Sequence, residues 1–205
     1  MLMIKGIPII AFDGTHSSGK TTLIYALAAK LQEIGINCAV LTEPTRNSPL
    51  VDDVVIRNKG CFDLLLEVDL IAAHISQTVR ATRGYSVILS DRTPVSVIAY
   101  TKLLVKLQNE FEISFFTSID ELVKNWISIY DIVFYCNDFF NLNVDTDIMR
   151  SKVQEIQKEV DIQTKEEYRR FGLSLEHLPK NLTTAQRVDF IYNTLNNKYP
   201  FILNC

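Results

Sequence analysis

Three features of the sequence predict a doubly wound α/β fold built on a parallel five-stranded sheet. Short apolar, β-branched runs alternate with longer segments of helical periodicity. The intervals between the runs are too long for hairpins, so the strands are read as parallel and joined by crossover helices. The first run also ends in a glycine-bracketed turn that leads straight into a helix. A chain of 205 residues suits one domain, residues 1–205. Hydrophobic residues at 47% and charged residues at 22% exclude a disordered or fibrous chain.

Ile7 to Asp13 (IPIIAFD) reads as a buried strand stopped by Gly14. Thr21 to Glu33 places Leu23, Ala26, Leu27 and Leu31 at helical spacing, and Gly35 ends that helix. Asn37 to Thr42 is the second strand, closed by Glu43-Pro44. Residues 44–61 carry Pro, Asn, Asp and Gly without clear periodicity, which predicts a loop with at most one short helix. Phe62 to Arg83 is a long helix with Leu65, Val68, Ile71, Ala72, Ile75 and Val79 on one face, and Gly84 stops it. Tyr85 to Leu89 is the third strand, ending in Ser90-Asp91-Arg92. Pro94 suits the first turn of a helix running to about Asn109. Residues 110–129 are helical in part, and Asp131 to Cys136 is the fourth strand. Residues 147–171 are largely helical, Leu173 to Leu178 is a short fifth strand, and residues 183–197 form the last helix.

The turn after the first strand reads Gly14-Thr15-His16-Ser17-Ser18-Gly19-Lys20-Thr21, which is GxxxxGK[ST] in full. Its glycines allow a tight turn whose backbone N–H groups, from Gly14 through Thr22, converge on the phosphates of a nucleotide. The helix N-terminus adds its positive dipole end. Lys20 would reach the β- and γ-phosphates from a solvent-facing position, and the Thr21 hydroxyl would take a place on Mg²⁺. ATP and Mg²⁺ are therefore the expected cofactors.

Ligands in such folds bind at the carboxyl ends of the strands, and two further strands end in charged groups. One gives Glu43-Pro44-Thr45-Arg46 and the other Ser90-Asp91-Arg92-Thr93. A carboxylate at either edge could hold Mg²⁺ through water or accept a proton from an attacking hydroxyl. Arg92 could grip a phosphate with two N–H groups. The bland alternatives are a solvated turn residue for Glu43 and a helix N-cap for Asp91.

Residues 145–172 are dense in charge, with Arg150, Lys152, Lys158, Lys165, Arg169 and Arg170. They read either as a solvated helix laced with i,i+4 ion pairs or as a lid that brings an arginine to the triphosphate. His16, His74 and His177 lack metal-ligand spacing and are assigned no chemistry. Trp126, Phe115-Phe116 and Phe139-Phe140 read as packing residues, with a base pocket or a dimer face as the alternative. The four cysteines are scattered, which suggests reduced thiols in a cytoplasmic protein. A net charge of −3 gives no basic field for nucleic acid, and no apolar run is long enough to span a membrane.

With these motifs in place, the chain resembles the thymidylate kinase and deoxynucleoside kinase group of P-loop kinases over most of residues 5–172. FDGTHSSGKTT resembles the group's first motif, and Glu43-Pro44 its EP motif after the second strand. Leu64 to Tyr100, with Ser96 and Ala99-Tyr100, resembles its run of helix, strand and DR motif. The resemblance implies a nucleotide-kinase-like P-loop NTPase fold with a helical lid. It implies Asp91 at the Mg²⁺ site, Arg92 on the acceptor, and Glu43 as the carboxylate that nucleoside kinases use as a base. The chain departs from the group at Thr42, at Thr45-Arg46-Asn47 and at Thr93. Leu70 or Ile71 stands where the group carries an arginine that reads the thymine edge. GTHSSGKTTL, YDIVFY and DTDIMRS are also similar to small P-loop ATPases related to the nicotinamide riboside kinase domain, in which an arginine at the position of Arg150 opens the lid.

The expected activity is transfer of the γ-phosphoryl group of Mg-ATP to a nucleoside monophosphate or nucleoside, with Lys20, Arg92, Arg150 and Glu43 as catalytic residues. The alternatives are a P-loop ATPase or nucleotide-dependent regulatory switch, and a nicotinamide-riboside-kinase-like enzyme. A kinase needs the two acidic strand ends to face the loop across a pocket, and a switch does not. A small-molecule acceptor is the expected partner, and relatives of this kind often form homodimers through their long helices.

Overall fold

In the computed structural model, β1 (Ile9–Asp13) is the middle strand of a parallel sheet. The structure describes residues 6–56, 62–138 and 148–203, without the side chains of 52, 53, 55, 56, 148–156, 201 and 202. β2 (Cys38–Leu41), β3 (Val87–Asp91), β4 (Ile132–Tyr135) and β5 (Leu175–His177) complete the sheet in the order β2-β3-β1-β4-β5. Phe12 of β1 is in register with Asp91 of β3 and with Phe134 of β4. This aligns three carboxyl ends at one edge.

Alternation along the strands sends side chains to two cores. Ile10, Phe12, Leu89 and Phe134 pack against Leu23, Leu27 and Leu31 of α1 (Lys20–Glu33) and Ile191 and Leu195 of α7 (Thr184–Lys198). Ile9, Ala11, Ile88 and Val133 face α3 (Leu64–Ala81), α4 (Pro94–Leu104), α5 (Glu110–Trp126) and α6 (Ile148–Arg170) through Leu70, Ile98, Val123 and Tyr168. The crossover out of β1 lies on one face and the crossover out of β3 on the other. The crevice between their carboxyl ends is thus the switch point where such sheets bind ligands.

The five strands and the helix order follow the sequence reading, with four differences. The stretch from residue 44 holds a 3-10 turn (Pro44–Arg46) and then α2 (Pro49–Ile56), with Pro at the first turn of each. β3 is set two residues later than expected, so Ser90 and Asp91 lie inside the strand. The helix from Pro94 stops at Leu104, and Asn109 caps a separate α5 by accepting from Glu112 N at 2.9 Å. A last short helix, α8 (Pro200–Leu203), follows α7.

α3 departs from its expected orientation. Its buried side chains include Glu67, Leu70, His74 and Thr78, whereas Leu65 and Val79 of the apolar stripe are exposed. The helix turns a partly polar face inward because that face borders a cavity. Among the described residues, Cys38 and Cys136 are free and buried, and no helix is long and apolar enough to cross a membrane. Cys61, Cys205 and Phe139-Phe140 lie outside the described residues.

Candidate active site

The loop after β1 is built around backbone conformations that its sequence permits. Gly14 and Gly19 have φ of 134° and 78°, and Ser17 also adopts a positive φ of 58°. A Cβ on Gly14 would stand 2.5 Å from the carbonyl oxygen of Cys136, so glycine alone fits between the loop and the end of β4. Ser18 Oγ donates to Thr15 O at 2.9 Å and holds the turn closed.

Lys20 does not face solvent as expected. Its side chain is buried and Nζ donates to Gly14 O at 3.0 Å, to Thr15 O at 2.7 Å and to Ser18 Oγ at 3.3 Å. An ammonium with three protons satisfies itself on the loop's own oxygens, which folds the side chain back across the turn. Burial and the nearby Arg92 charge push the Lys20 pKa down, against the pull of Asp91 and Glu43.

Asp91 is not the cap of α4. Thr93 caps it by accepting from Val95 N at 3.2 Å, and Asp91 points to the loop instead. Its Oδ2 accepts from Thr21 Oγ1 at 2.8 Å, while Oδ1 is buried without a hydrogen-bond partner. Arg46 Nη2 also donates to Thr21 Oγ1, at 3.0 Å. Burial raises the Asp91 pKa, with Lys20 opposing. The site fits Mg²⁺: a hydroxyl and an orphaned carboxylate oxygen stand side by side at the phosphate-binding turn. Among the described residues no cluster of three or more His, Cys, Asp or Glu side chains that could hold a metal ion occurs.

Arg92 and Glu43 meet across the crevice. Arg92 Nε lies 2.6 Å from Glu43 Oε1, and Nη1 donates to Gly14 O at 3.2 Å. Nη2 is buried with no hydrogen-bond partner. Arg92 has a φ of 72°, a left-handed conformation held by Arg92 N donating to Phe12 O at 2.9 Å and Ser90 Oγ donating to Arg92 O at 2.8 Å. Glu43 is therefore no solvated turn residue. Burial alone would raise its pKa, but Arg92, His16, Lys20 and Arg46 overcome this and hold it at about 2.

Between α3, α4 and the two strand ends lies a cavity of about 310 Å³ whose lining includes Glu43, Glu67, Leu70, His74, Arg92 and Tyr100. His16 of the loop lines it as well, so it opens directly onto the phosphate-binding turn. Its aromatic members are Phe62 and Tyr100, not Trp126, which packs against the core, nor Phe115, which is exposed. Two histidines that the sequence left without a role, His16 and His74, thus border the site.

Other participants have no role in the sequence reading. Asp13 is fully buried and accepts from Ser96 Oγ at 2.6 Å, from Tyr168 Oη at 2.6 Å and from Gly14 N at 2.7 Å. It ends an apolar strand as Asp91 does and falls within FDGTHSSGKTT, and those were its signals. Arg187 of α7 donates to Ser18 O at 3.0 Å and pairs with Asp138. Gln157 of α6 donates to His16 O at 2.7 Å and Thr15 Oγ1 at 3.0 Å. The charged α6 itself is ion-paired: Lys165 with Asp161 at 2.6 Å, and Arg170 with Glu167 at 2.6 Å and with Asp120. Lys158 and Arg169 are exposed. Arg150 lies in the first turn of α6, and its side chain and that of Lys152 are outside the described residues. Thr22 is exposed at the start of α1.

The fold is shared with known proteins. The chain is similar to deoxyadenosine kinase from M. mycoides, at 19% identity and a TM-score of 0.64 over 92% of this chain and 99% of that one. It is similar to thymidylate kinase from Candida albicans, at 16% identity and a TM-score of 0.62 over 95% of this chain and 93% of that one. The NadR protein in complex with NR gives 16% identity and a TM-score of 0.68, over 91% of this chain and 51% of that one. In sequence, a thymidylate kinase of Nitratidesulfovibrio vulgaris (strain DP4) is 35% identical over 100 residues, 44% of this chain. The chain spans 44% of that relative's length. The fold is thus that of the P-loop nucleotide kinases. A family profile described as an AAA domain, AAA_28, matches residues 9–187, and the chain belongs to that family.

Proposed function

We propose that the protein is an ATP-dependent phosphotransferase that moves the γ-phosphoryl group of Mg-ATP to a nucleoside or nucleoside monophosphate. The observation that carries this reading is the cavity beside the loop. Glu43 and Arg92 stand in its wall, and the unpartnered Arg92 Nη2 offers a donor to an acceptor oxygen or phosphate. A nucleotide switch needs no second pocket of this kind. The solved structures of similar fold are named for deoxyadenosine, thymidylate and NR, all nucleosides or nucleotides, which supports the same acceptor class.

In this reading the loop amides and Lys20 hold the β- and γ-phosphates. Thr21 and Asp91 would hold Mg²⁺, which when bound would supply charge neutralisation on the transferred phosphoryl group. Arg92 fixes the acceptor against the loop, and the Glu43 partner keeps its guanidinium aimed. The acceptor oxygen forms the new P–O bond as the bond to ADP breaks. With a hydroxyl acceptor its proton passes to Glu43 only as the P–O bond forms and the oxygen turns strongly acidic, since Arg92 keeps that carboxylate a weak base, and with a phosphate acceptor no base is needed. Arg150 reaches the transferring group if residues 145–172 close as a lid.

The test is a screen of nucleosides, nucleoside monophosphates and nicotinamide riboside for ATP-to-ADP conversion above background. Acceptor-dependent turnover supports the kinase. Acceptor-independent hydrolysis alone would favour the ATPase or switch, and turnover restricted to nicotinamide riboside would favour that narrower enzyme.

A further inference from the structure

We propose that Glu67 reads the acceptor's base, accepting a hydrogen bond from an exocyclic amino group, so that adenine and cytosine are taken in preference to their keto counterparts. The proposal rests on reading the cavity as the acceptor site.

Glu67, Leu70 and His74 lie at i, i+3 and i+7 of α3, one stripe of the helix, and all three line the cavity. The helix buries this partly polar stripe together with Leu66 and Ile71, while Leu65 and Val79 are exposed. A buried polar side chain is normally hydrogen-bonded, yet Glu67 is 2% exposed and its Oε1 has no partner. Carboxylates in such positions are normally paired with a cation. Here the charged group acting on Glu67 is Asp63, which is negative. Burial, opposed by Thr101 and helped by Asp63, pushes the carboxyl up to about 8, so it is mostly neutral at pH 7. His74, two turns along the same stripe, is neutral too, because burial lowers its pKa to about 4. The other titratable groups of the cavity are His16 on the loop, Glu43, Arg46 and Arg92 at the strand ends, and Tyr100 on α4.

Thr101 of α4 lies beside the carboxyl, and its own proton goes to Val97 O at 2.8 Å. In the proposed arrangement the acid proton of Glu67 sits on its other oxygen, Oε2, on the side of Thr101. Oε1 then remains a carbonyl-type acceptor, and it is an acceptor in the ionised form as well. A base presenting an amino N–H satisfies it, and a base presenting a keto oxygen sets two acceptors against each other. Phe62 and Leu70 supply apolar contact for the ring.

The experiment is calorimetric binding to the full chain with ADP and Mg²⁺ present, so that no turnover is required. The probes are deoxyadenosine against deoxyinosine and deoxycytidine against deoxyuridine, each as nucleoside and as 5′-monophosphate. The amino member of at least one pair should bind about tenfold or more tighter. Glu67→Leu should bring that ratio to within about twofold, while Glu67→Gln, whose amide N–H₂ can face Thr101, should keep a preference for the amino member. Equal binding within every pair, a preference for the keto member, or an unchanged ratio in Glu67→Leu would overturn the role of Glu67 and leave the acceptor class standing. Binding of none of the probes would overturn the acceptor class and the inference with it.

Discussion

Arg92 Nε lies 2.6 Å from Glu43 Oε1, with both side chains at least nine-tenths buried. The pair ties the end of β3 to the end of β2 beneath the cavity. Its sign in pH is fixed by the depressed carboxylate: Glu43 sits at about 2 in the fold against 4.5 ordinarily. Its contribution is therefore complete above about pH 4.5 and is lost as pH falls through about 2, roughly 3 kcal/mol in all. Urea midpoints compared between about pH 6 and pH 3 should fall more steeply in the parent than in Glu43→Gln. Parallel slopes for the two proteins would show that the pair stores no such energy.

Gly14→Ala should disable the loop. The added Cβ would meet a backbone carbonyl at 2.5 Å, and the φ of 134° is strained for any L side chain. Neither the loop nor β4 can yield cheaply, so a loss of several kcal/mol is expected. A thermal melt should show a clear drop in Tm, and nucleotide binding should be lost. Gly35→Ala is the control. It also has a positive φ, but its Cβ would meet nothing within 4 Å, so only the smaller conformational cost applies.

Glu67 has the opposite linkage to Glu43. Its folded pKa of about 8 lies above the ordinary 4.5, so the unfolded chain releases its proton first. Stability therefore falls as pH rises from about 4.5 to about 8 and levels off above that. Glu67→Gln removes the penalty and should raise stability near pH 7.5 by about 1–3 kcal/mol, after the cost of a buried amide. Near pH 4, where the carboxyl is protonated folded or unfolded, only the amide cost remains and the variant should be slightly the less stable of the two. A variant less stable than the parent at both pH values would mean that the carboxyl is not held neutral.

The strands were legible because each is a short apolar run with a stop, and Gly14 to Thr21 was legible because its mechanism constrains residue types at fixed spacing. Glu43, Asp91 and Arg92 could be singled out because they sit where strands end. The inward face of α3 could not be read, because periodicity marks apolar stripes and this helix buries Glu67, Leu70 and His74 against a cavity instead. Arg187 and Gln157 reach the loop from helices more than 130 residues away, and nothing local in the sequence encodes such contacts. The fold-back of Lys20 was likewise hidden, since it depends on which carbonyls the loop turns inward.

Asp91 and Lys20 both border the phosphate-binding turn, and Mg²⁺ should tell them apart. Asp91 offers a buried oxygen, Oδ1, that no protein group satisfies, next to the Thr21 hydroxyl that its other oxygen holds at 2.8 Å. Asp91→Asn keeps the shape and the Thr21 contact but removes the negative charge that favours a cation. The apparent Mg²⁺ requirement should then rise by about tenfold or more, and added Mg²⁺ should recover much of the rate, because the lost interaction is with the ion. Lys20→Ala removes a cation that bonds three loop oxygens and, in the proposed reaction, the transferring phosphates. Its rate should fall by about 10² or more, and no Mg²⁺ concentration should restore it, because the lost donor is fixed in the protein. Titration of Mg²⁺ at saturating ATP and acceptor reads both variants at once. If Mg²⁺ rescues Lys20→Ala and fails to rescue Asp91→Asn, the two roles have been assigned the wrong way round.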